Sequence, residues 1–62
     1  MPPTPLPKTS VPTERALNDA GVRHLEDLAH HTEAELAALH GVGSKALRIL
    51  REAMATRGVR FR

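Results

Sequence analysis

The chain has no cysteine, no tryptophan and no tyrosine, and its only phenylalanine is Phe61. Without cysteine it cannot form a disulfide, so its core must come from aliphatic side chains, chiefly eight leucines and four valines, unless a partner contributes more. Without more aromatic side chains it lacks the stacking platform that holds single-stranded bases. These absences exclude a disulfide scaffold and argue against a single-strand-binding protein.

The sequence also lacks a long apolar run. Met1 is followed by PPTPLPK, which has no signal-peptide core, and no stretch approaches the ~20 apolar residues of a membrane span. We therefore expect a soluble, cytoplasmic protein with no membrane partner. Its 62 residues form one domain at most, and such a domain buries only about 60% of the surface that its unfolded chain exposes. A small core and marginal stability are expected.

Basic residues are scarce in most of the chain, and acidic residues are scarce at its end. Residues 1–43 carry three Lys or Arg against six Asp or Glu, a charge of −3, whereas residues 44–62 carry six against Glu52 alone, a charge of +5. A basic segment of this kind attracts polyanions. A solvated helix face with a basic tail would have the same composition, so charge alone leaves both interpretations open.

The distribution of prolines and helix signals predicts the organisation. Residues 1–9 hold four of the five prolines and are predicted to form a flexible, proline-rich arm outside the core, followed by one domain over residues 10–62. Cap residues and apolar spacing predict helices at about 11–20, 24–30, 33–39 and 44–56. No room remains for a sheet, so we expect an all-α, compact bundle of four to five short helices.

Two of these helices have strong local signals. Thr32 and Glu35 have the spacing of a capping box at the start of the third helix. The last helix is amphipathic, and Gly58 suits its end, after which Val59 and Phe61 are predicted to fold back onto the core. Its apolar arc contains Ala46, Leu47, Ile49, Leu50, Ala53 and Met54, and its charged arc contains Lys45, Arg48, Arg51 and Glu52.

Two of the four glycines lie one residue apart in LHGVGSKALRIL, residues 39–50. Gly41 is predicted to end the third helix, and Gly43 to let the backbone approach a partner closely. From Gly43 to Lys45 the last helix presents unpaired amides and the positive end of its dipole, which together favour an anion. Lys45 adds a full charge there, and Arg48 extends it by one turn. The pattern predicts contact with a phosphate.

These residues resemble the hairpin of the helix-hairpin-helix family, in which two glycines flank an apolar residue and precede a Lys or Arg. The matching positions are Leu39, Gly41, Val42, Gly43 and Lys45, and His40 replaces the frequent proline. Over residues 10–61 the chain further resembles the C-terminal domain of the bacterial RNA polymerase α subunit. The segments RALNDAGV, TEAEL, HGVGSKAL and RGVRF carry that resemblance.

The resemblance implies a stand-alone bacterial relative of that domain, associated with the nucleoid, that binds double-stranded DNA with little or no sequence specificity. Gly43 and Lys45 match its DNA-contacting positions. Pro12 stands where that domain has its groove-entering arginine, and Ala46 where it has a phosphate-binding serine, so we expect Arg15, in place of an asparagine, to take over part of the groove contact. The candidate DNA-binding residues are Gly41, Gly43, Ser44, Lys45, Arg48 and Arg15. A protein partner or a tethered enzyme would raise occupancy.

Other functions were weighed on the same residues. The four histidines, His24, His30, His31 and His40, show no ligand spacing of a tetrahedral metal site. Glu33 and Glu35 point to different helix faces, and no nucleophile, base and orienting group can be assembled. We therefore expect no enzyme, no cofactor and no metal. The alternative to DNA binding is a protein–protein interaction module that uses the acidic helices or a Leu/Met surface.

Overall fold

A computed structural model describes residues 3–62. Within that range the fold consists of α1 (Val11–Asp19), a 3₁₀ helix (Leu25–His30), α2 (Glu33–Ala37) and α3 (Ser44–Arg57). The described residues contain no strand, and Pro5 and His24 form an isolated bridge. The prediction of an all-helical fold of four short helices is confirmed, with a 3₁₀ helix in the second position.

Helix α1 begins and ends close to the predicted residues. The side chain of Ser10 accepts a hydrogen bond from the amide of Thr13, and Pro12 lies in the first turn, where its missing N–H is not needed. After Asp19 the chain turns at Gly21, whose φ is +82°. Leu17 is fully buried, so this short helix is held by its packing rather than by its own propensity.

Helix α2 has the predicted capping box but ends earlier than predicted. The amide of Glu35 donates to the Thr32 hydroxyl at 3.1 Å, and the amide of Thr32 donates to the Glu35 carboxylate at 3.0 Å. The helix stops at Ala37 rather than at Leu39, because the amide of Leu39 donates to the carbonyl of Leu36 in a tighter turn. This turn leads the chain into Gly41.

The hydrogen bond from the Thr32 amide lowers the pKa of Glu35 below its ordinary 4.5. The ionised carboxylate therefore stabilises the fold above the unfolded pKa, and this contribution is lost as the pH falls through the lower folded pKa. We expect Glu35→Gln to lower the urea midpoint at pH 7 and to reduce its decrease between pH 7 and about pH 3. A urea midpoint of Glu35→Gln that falls between pH 7 and about pH 3 as steeply as that of the wild-type protein would contradict the prediction.

The core lies between α3 and the remaining helices. Helix α3 contributes Ala46, Leu50 and Met54 to it. The other buried apolar residues are Ala16, Leu17, Val22, Leu25, Leu28, Leu36 and Val42. After α3 the chain turns at Gly58, with φ +70°, and Val59 and Phe61 pack against the core as predicted. The core thus draws on every helix as well as on the final residues.

Residues 4–9 differ from the predicted flexible arm outside the core. Met1 and Pro2, which belong to the same predicted arm, lie outside the described residues. The amide of Leu25 donates to the carbonyl of Thr4 at 2.9 Å, and Leu6 packs against the core. Prolines keep a segment extended, but an extended segment can still dock where acceptors and apolar surface are available. Residues 4–9, called here the N-terminal strap, are therefore part of the domain's surface.

No helix within residues 3–62 is long and apolar enough to cross a membrane.

Candidate nucleic-acid interface

The loop between α2 and α3, residues 38–43, is fixed by Gly41. Its φ is +99°, a region that L side chains rarely adopt, and an added Cβ would lie 2.7 Å from the carbonyl oxygen of Pro12 in α1. The chain therefore requires glycine at this position on two independent grounds. Gly41 brings the loop directly against the first turn of α1.

Thr13 in α1 also stabilises the contact between the loop and α1. Its side chain is buried, and its hydroxyl donates to the carbonyl of Gly41 at 2.7 Å and lies 3.0 Å from the hydroxyl of Ser10. Val42, the next residue after Gly41, is also buried. The sequence analysis missed Thr13, although its spacing of three and four residues from Ala16 and Leu17 marks the buried arc of α1.

Gly43 differs from Gly41. Its φ is −94°, which any residue can adopt, and an added Cβ would have no atom within 4 Å. A close approach of the backbone was predicted at Gly43, but within the fold it occurs at Gly41. The protein itself has no need of glycine at position 43, and the space beside it is open to a ligand.

The first turn of α3 presents free donors beside that space. Gly43 is the N-cap and offers no side-chain acceptor, while its carbonyl accepts from the amide of Leu47 at 3.0 Å. Among residues 3–62, no acceptor is found for the amides of Ser44, Lys45 and Ala46. These amides carry the positive end of a 14-residue helix. These amides can therefore donate hydrogen bonds to a phosphate oxygen at this end of α3.

A groove of about 490 Å³, called here the α3 groove, lies at this end of the helix. Its lining comes from the strap, α1, the loop and α3, and consists of Lys8, Thr9, Ser10, Thr13, Gly41, Gly43, Lys45, Ala46 and Ile49. The structure thus brings together three predicted residues, Gly41, Gly43 and Lys45. It adds Lys8, which the sequence analysis had placed in a flexible arm.

The remaining predicted residues lie around this groove. Ser44 is exposed in the first turn of α3. Arg15 lines a neighbouring groove together with His40, and this second groove shares Gly41 with the first. Arg48 lies one turn along α3, with its Nε 3.7 Å from the carboxylate of Glu52, four residues later. Because this pair is exposed, it leaves Arg48 able to exchange Glu52 for another anion.

Two of the histidines, His24 and His31, and the two glutamates of α2 lie beside ionisable side chains. His24 Nδ1 lies 3.6 Å from Asp27, and His31 Nδ1 lies 3.5 Å from Glu35. Glu33 lies 3.4 Å from Arg51. In the part of the chain that the structure describes, no three His, Asp or Glu side chains are placed to hold a metal ion together.

Comparison with protein-family models, with characterised proteins and with solved structures finds no match to this chain. The function of this chain must therefore be inferred from the geometry of the α3 groove and from the resemblance of its sequence to the helix-hairpin-helix family.

Proposed function

We propose that this domain is a helix-hairpin-helix module that binds the phosphate backbone of double-stranded DNA. The proposal depends on the first turn of α3, where amides with no acceptor among the described residues adjoin open space at Gly43, in a groove that Lys45 also lines. Backbone amides at a helix N-terminus bind phosphate through both their donors and the helix dipole.

The placement of Lys45 adds to this argument. The first turn of α3 contains no acidic residue, although a helix N-terminus is stabilised by acidic side chains and disfavoured by cations. A lysine at this position costs the helix stability, and a bound anion offsets that cost. Gly43, two residues before Lys45, has no side chain that would block a phosphate oxygen from approaching the amides.

Phosphate contacts of this kind fix position on the duplex but carry little sequence information. The domain measures 30 × 19 × 18 Å, so it can cover at most about one duplex turn of ~34 Å. We expect it to neutralise about two or three phosphates and to bind with a dissociation constant of ~10⁻⁴ to 10⁻⁶ M at physiological salt. Occupancy in a cell then depends on a protein partner, a dimer or a tethered enzyme.

Titration of a labelled duplex of mixed sequence tests the proposal. From about 50 to about 200 mM salt we expect affinity to fall about 12- to 40-fold, the dependence produced by releasing counterions from two or three phosphates. In ¹H–¹⁵N spectra the largest shifts should fall on the amides of Ser44, Lys45 and Ala46. Duplex that causes no saturable shifts there, or whose binding is independent of salt, would refute DNA binding through the α3 groove.

The second candidate function is protein binding, and one observation favours it. A groove of about 400 Å³ at the other end of α3 has an apolar base formed by Met54, Ala55, Val59 and Phe61, with Arg51 and Arg60 beside it. The same spectra distinguish the two functions. If duplex shifts no residue of α3, a protein-binding role for this groove becomes the better hypothesis.

A further inference from the structure

The first residue of the N-terminal strap, Thr4, is hydrogen-bonded to the carboxylate of Glu26. The amide of Thr4 donates to Glu26 Oε1 at 2.8 Å, and the hydroxyl of Thr4 donates to Glu26 Oε2 at 2.6 Å. The backbone pairing of Thr4 with Leu25 adds a third bond. Both oxygens of Glu26 are thus used to hold a residue that lies 22 positions earlier in the chain.

The other end of the strap reaches the α3 groove. Leu6 packs against the core between the two ends, and Lys8 and Thr9 contribute to the lining of the groove, as does Lys45. Two lysines from distant parts of the sequence therefore converge on one concave surface that also holds the free amides of α3. Like charges brought together in this way repel, and an anion between them relieves the repulsion.

A buried polar atom lies in the same wall. The hydroxyl oxygen of Thr9 is shielded from solvent and has no hydrogen-bond partner among the described residues. A buried hydroxyl without a partner is uncommon in folded proteins, where such groups are nearly always satisfied. Thr9 follows Lys8 in the chain and contributes to the lining of the same groove.

We propose that Lys8 is a second cationic contact to DNA phosphate and that Glu26 is its positioning residue, acting through Thr4. This inference rests on the proposed function and adds the N-terminal strap to the binding surface. The two hydrogen bonds from Thr4 to Glu26 fix the start of the strap. Because Leu6 packs against the core, the strap then continues to the groove, where Lys8 lies. A phosphate oxygen is then held between two ammonium groups and the amides of α3.

The test of Lys8 compares two variants that remove the same charge. Lys8→Gln should weaken duplex binding about 5-fold and make the logarithmic salt slope shallower by about 0.9, the value for one lost phosphate contact. Arg57→Gln, at the opposite end of α3, should change both by much less. Equal effects of the two variants, with wild-type binding intact, would overturn the role of Lys8 and leave the proposed function standing.

The test of Glu26 uses the sign of the effect. Glu26→Ala raises the net charge by one unit, so electrostatics alone predicts tighter binding to DNA. Loss of the hydrogen bonds between Thr4 and Glu26 predicts instead that duplex affinity falls about 2- to 3-fold, because Lys8 is no longer held at the groove. Glu33→Ala makes the same charge change away from the strap and should leave binding unchanged or tighter. Tighter binding of both variants would overturn the positioning role.

The controls separate failure of this inference from failure of the proposed function. If wild-type protein binds no duplex, or if Lys45→Glu has no effect on binding, DNA binding through the α3 groove itself is refuted. If binding depends on Lys45 but not on Lys8, only the contribution of the strap is refuted. Circular dichroism and urea unfolding of each variant establish that the fold is retained.

Discussion

Gly41→Ala is expected to lower the free energy of unfolding by about 3 kcal/mol or more, which is a large part of the stability of a 62-residue domain. Two effects add. A φ of +99° strains any residue with a Cβ, and that Cβ would lie 2.7 Å from the Pro12 carbonyl oxygen, which is backbone and cannot rotate away. The loop must move off α1, and the bond from Thr13 to Gly41 is then lost. Urea unfolding measures the effect.

Two other glycines are matched controls for this variant. Gly21 also has a positive φ, +82°, but an added Cβ would meet nothing within 4 Å, so Gly21→Ala should cost about 1 kcal/mol from backbone strain alone. Gly43→Ala adds a Cβ at an ordinary φ and in open space, and should cost less than about 1 kcal/mol. Equal losses for Gly41→Ala and Gly21→Ala would show that the contact with Pro12 is unimportant.

The effect of these glycine variants on duplex affinity should not follow their effect on stability. The Cβ added by Gly43→Ala projects into the space that a phosphate oxygen would occupy, so this variant should weaken duplex binding while keeping the fold. The two glycines of the sequence GVG therefore have different roles, one inside the protein and one at its surface. The first holds the loop on α1, and the second keeps the end of α3 open.

The helices could be predicted from the sequence because their signals are local. Thr32 and Glu35 are three residues apart, and Gly58 directly follows the helix that it ends. The end of α2 could not be predicted to the residue. It depends on the turn at Leu39 and on the packing of Gly41 against Pro12, which joins parts of the chain that are distant in sequence.

The candidate site was predictable in part for the same reason. The sequence placed Gly41, Gly43 and Lys45 together because they are neighbours in the chain. It could not show that Gly41 rather than Gly43 packs against a carbonyl of α1, since that carbonyl belongs to a distant part of the chain. It also could not place Lys8, because proline content indicates an extended backbone without indicating where that backbone docks. The start of that segment is held by hydrogen bonds to the carboxylate of Glu26, which lies in the 3₁₀ helix.

Lys45→Glu is expected to weaken duplex binding about 10- to 100-fold at low salt. The change removes one phosphate contact and places a negative charge among the amides where the phosphate would bind. The logarithmic salt slope should become shallower by about one unit. Arg48→Glu should have a smaller effect, because Arg48 lies farther from those amides and already pairs with Glu52. Fluorescence anisotropy with a labelled duplex at several salt concentrations measures both.

Unfolding of the variant cannot explain this loss, because the same substitution should stabilise the fold. An acidic residue in the first turn of α3 interacts favourably with the helix dipole, so Lys45→Glu should raise the free energy of unfolding by about 0.3–1 kcal/mol. The matched control is Arg57→Glu, the same charge reversal about 18 Å along the helix at 1.5 Å per residue, beyond the Debye length of ~8 Å at physiological salt. If both reversals weaken binding equally, net charge rather than the α3 groove governs the interaction. If Lys45→Glu loses binding while gaining stability, the lysine is there for a ligand rather than for the fold.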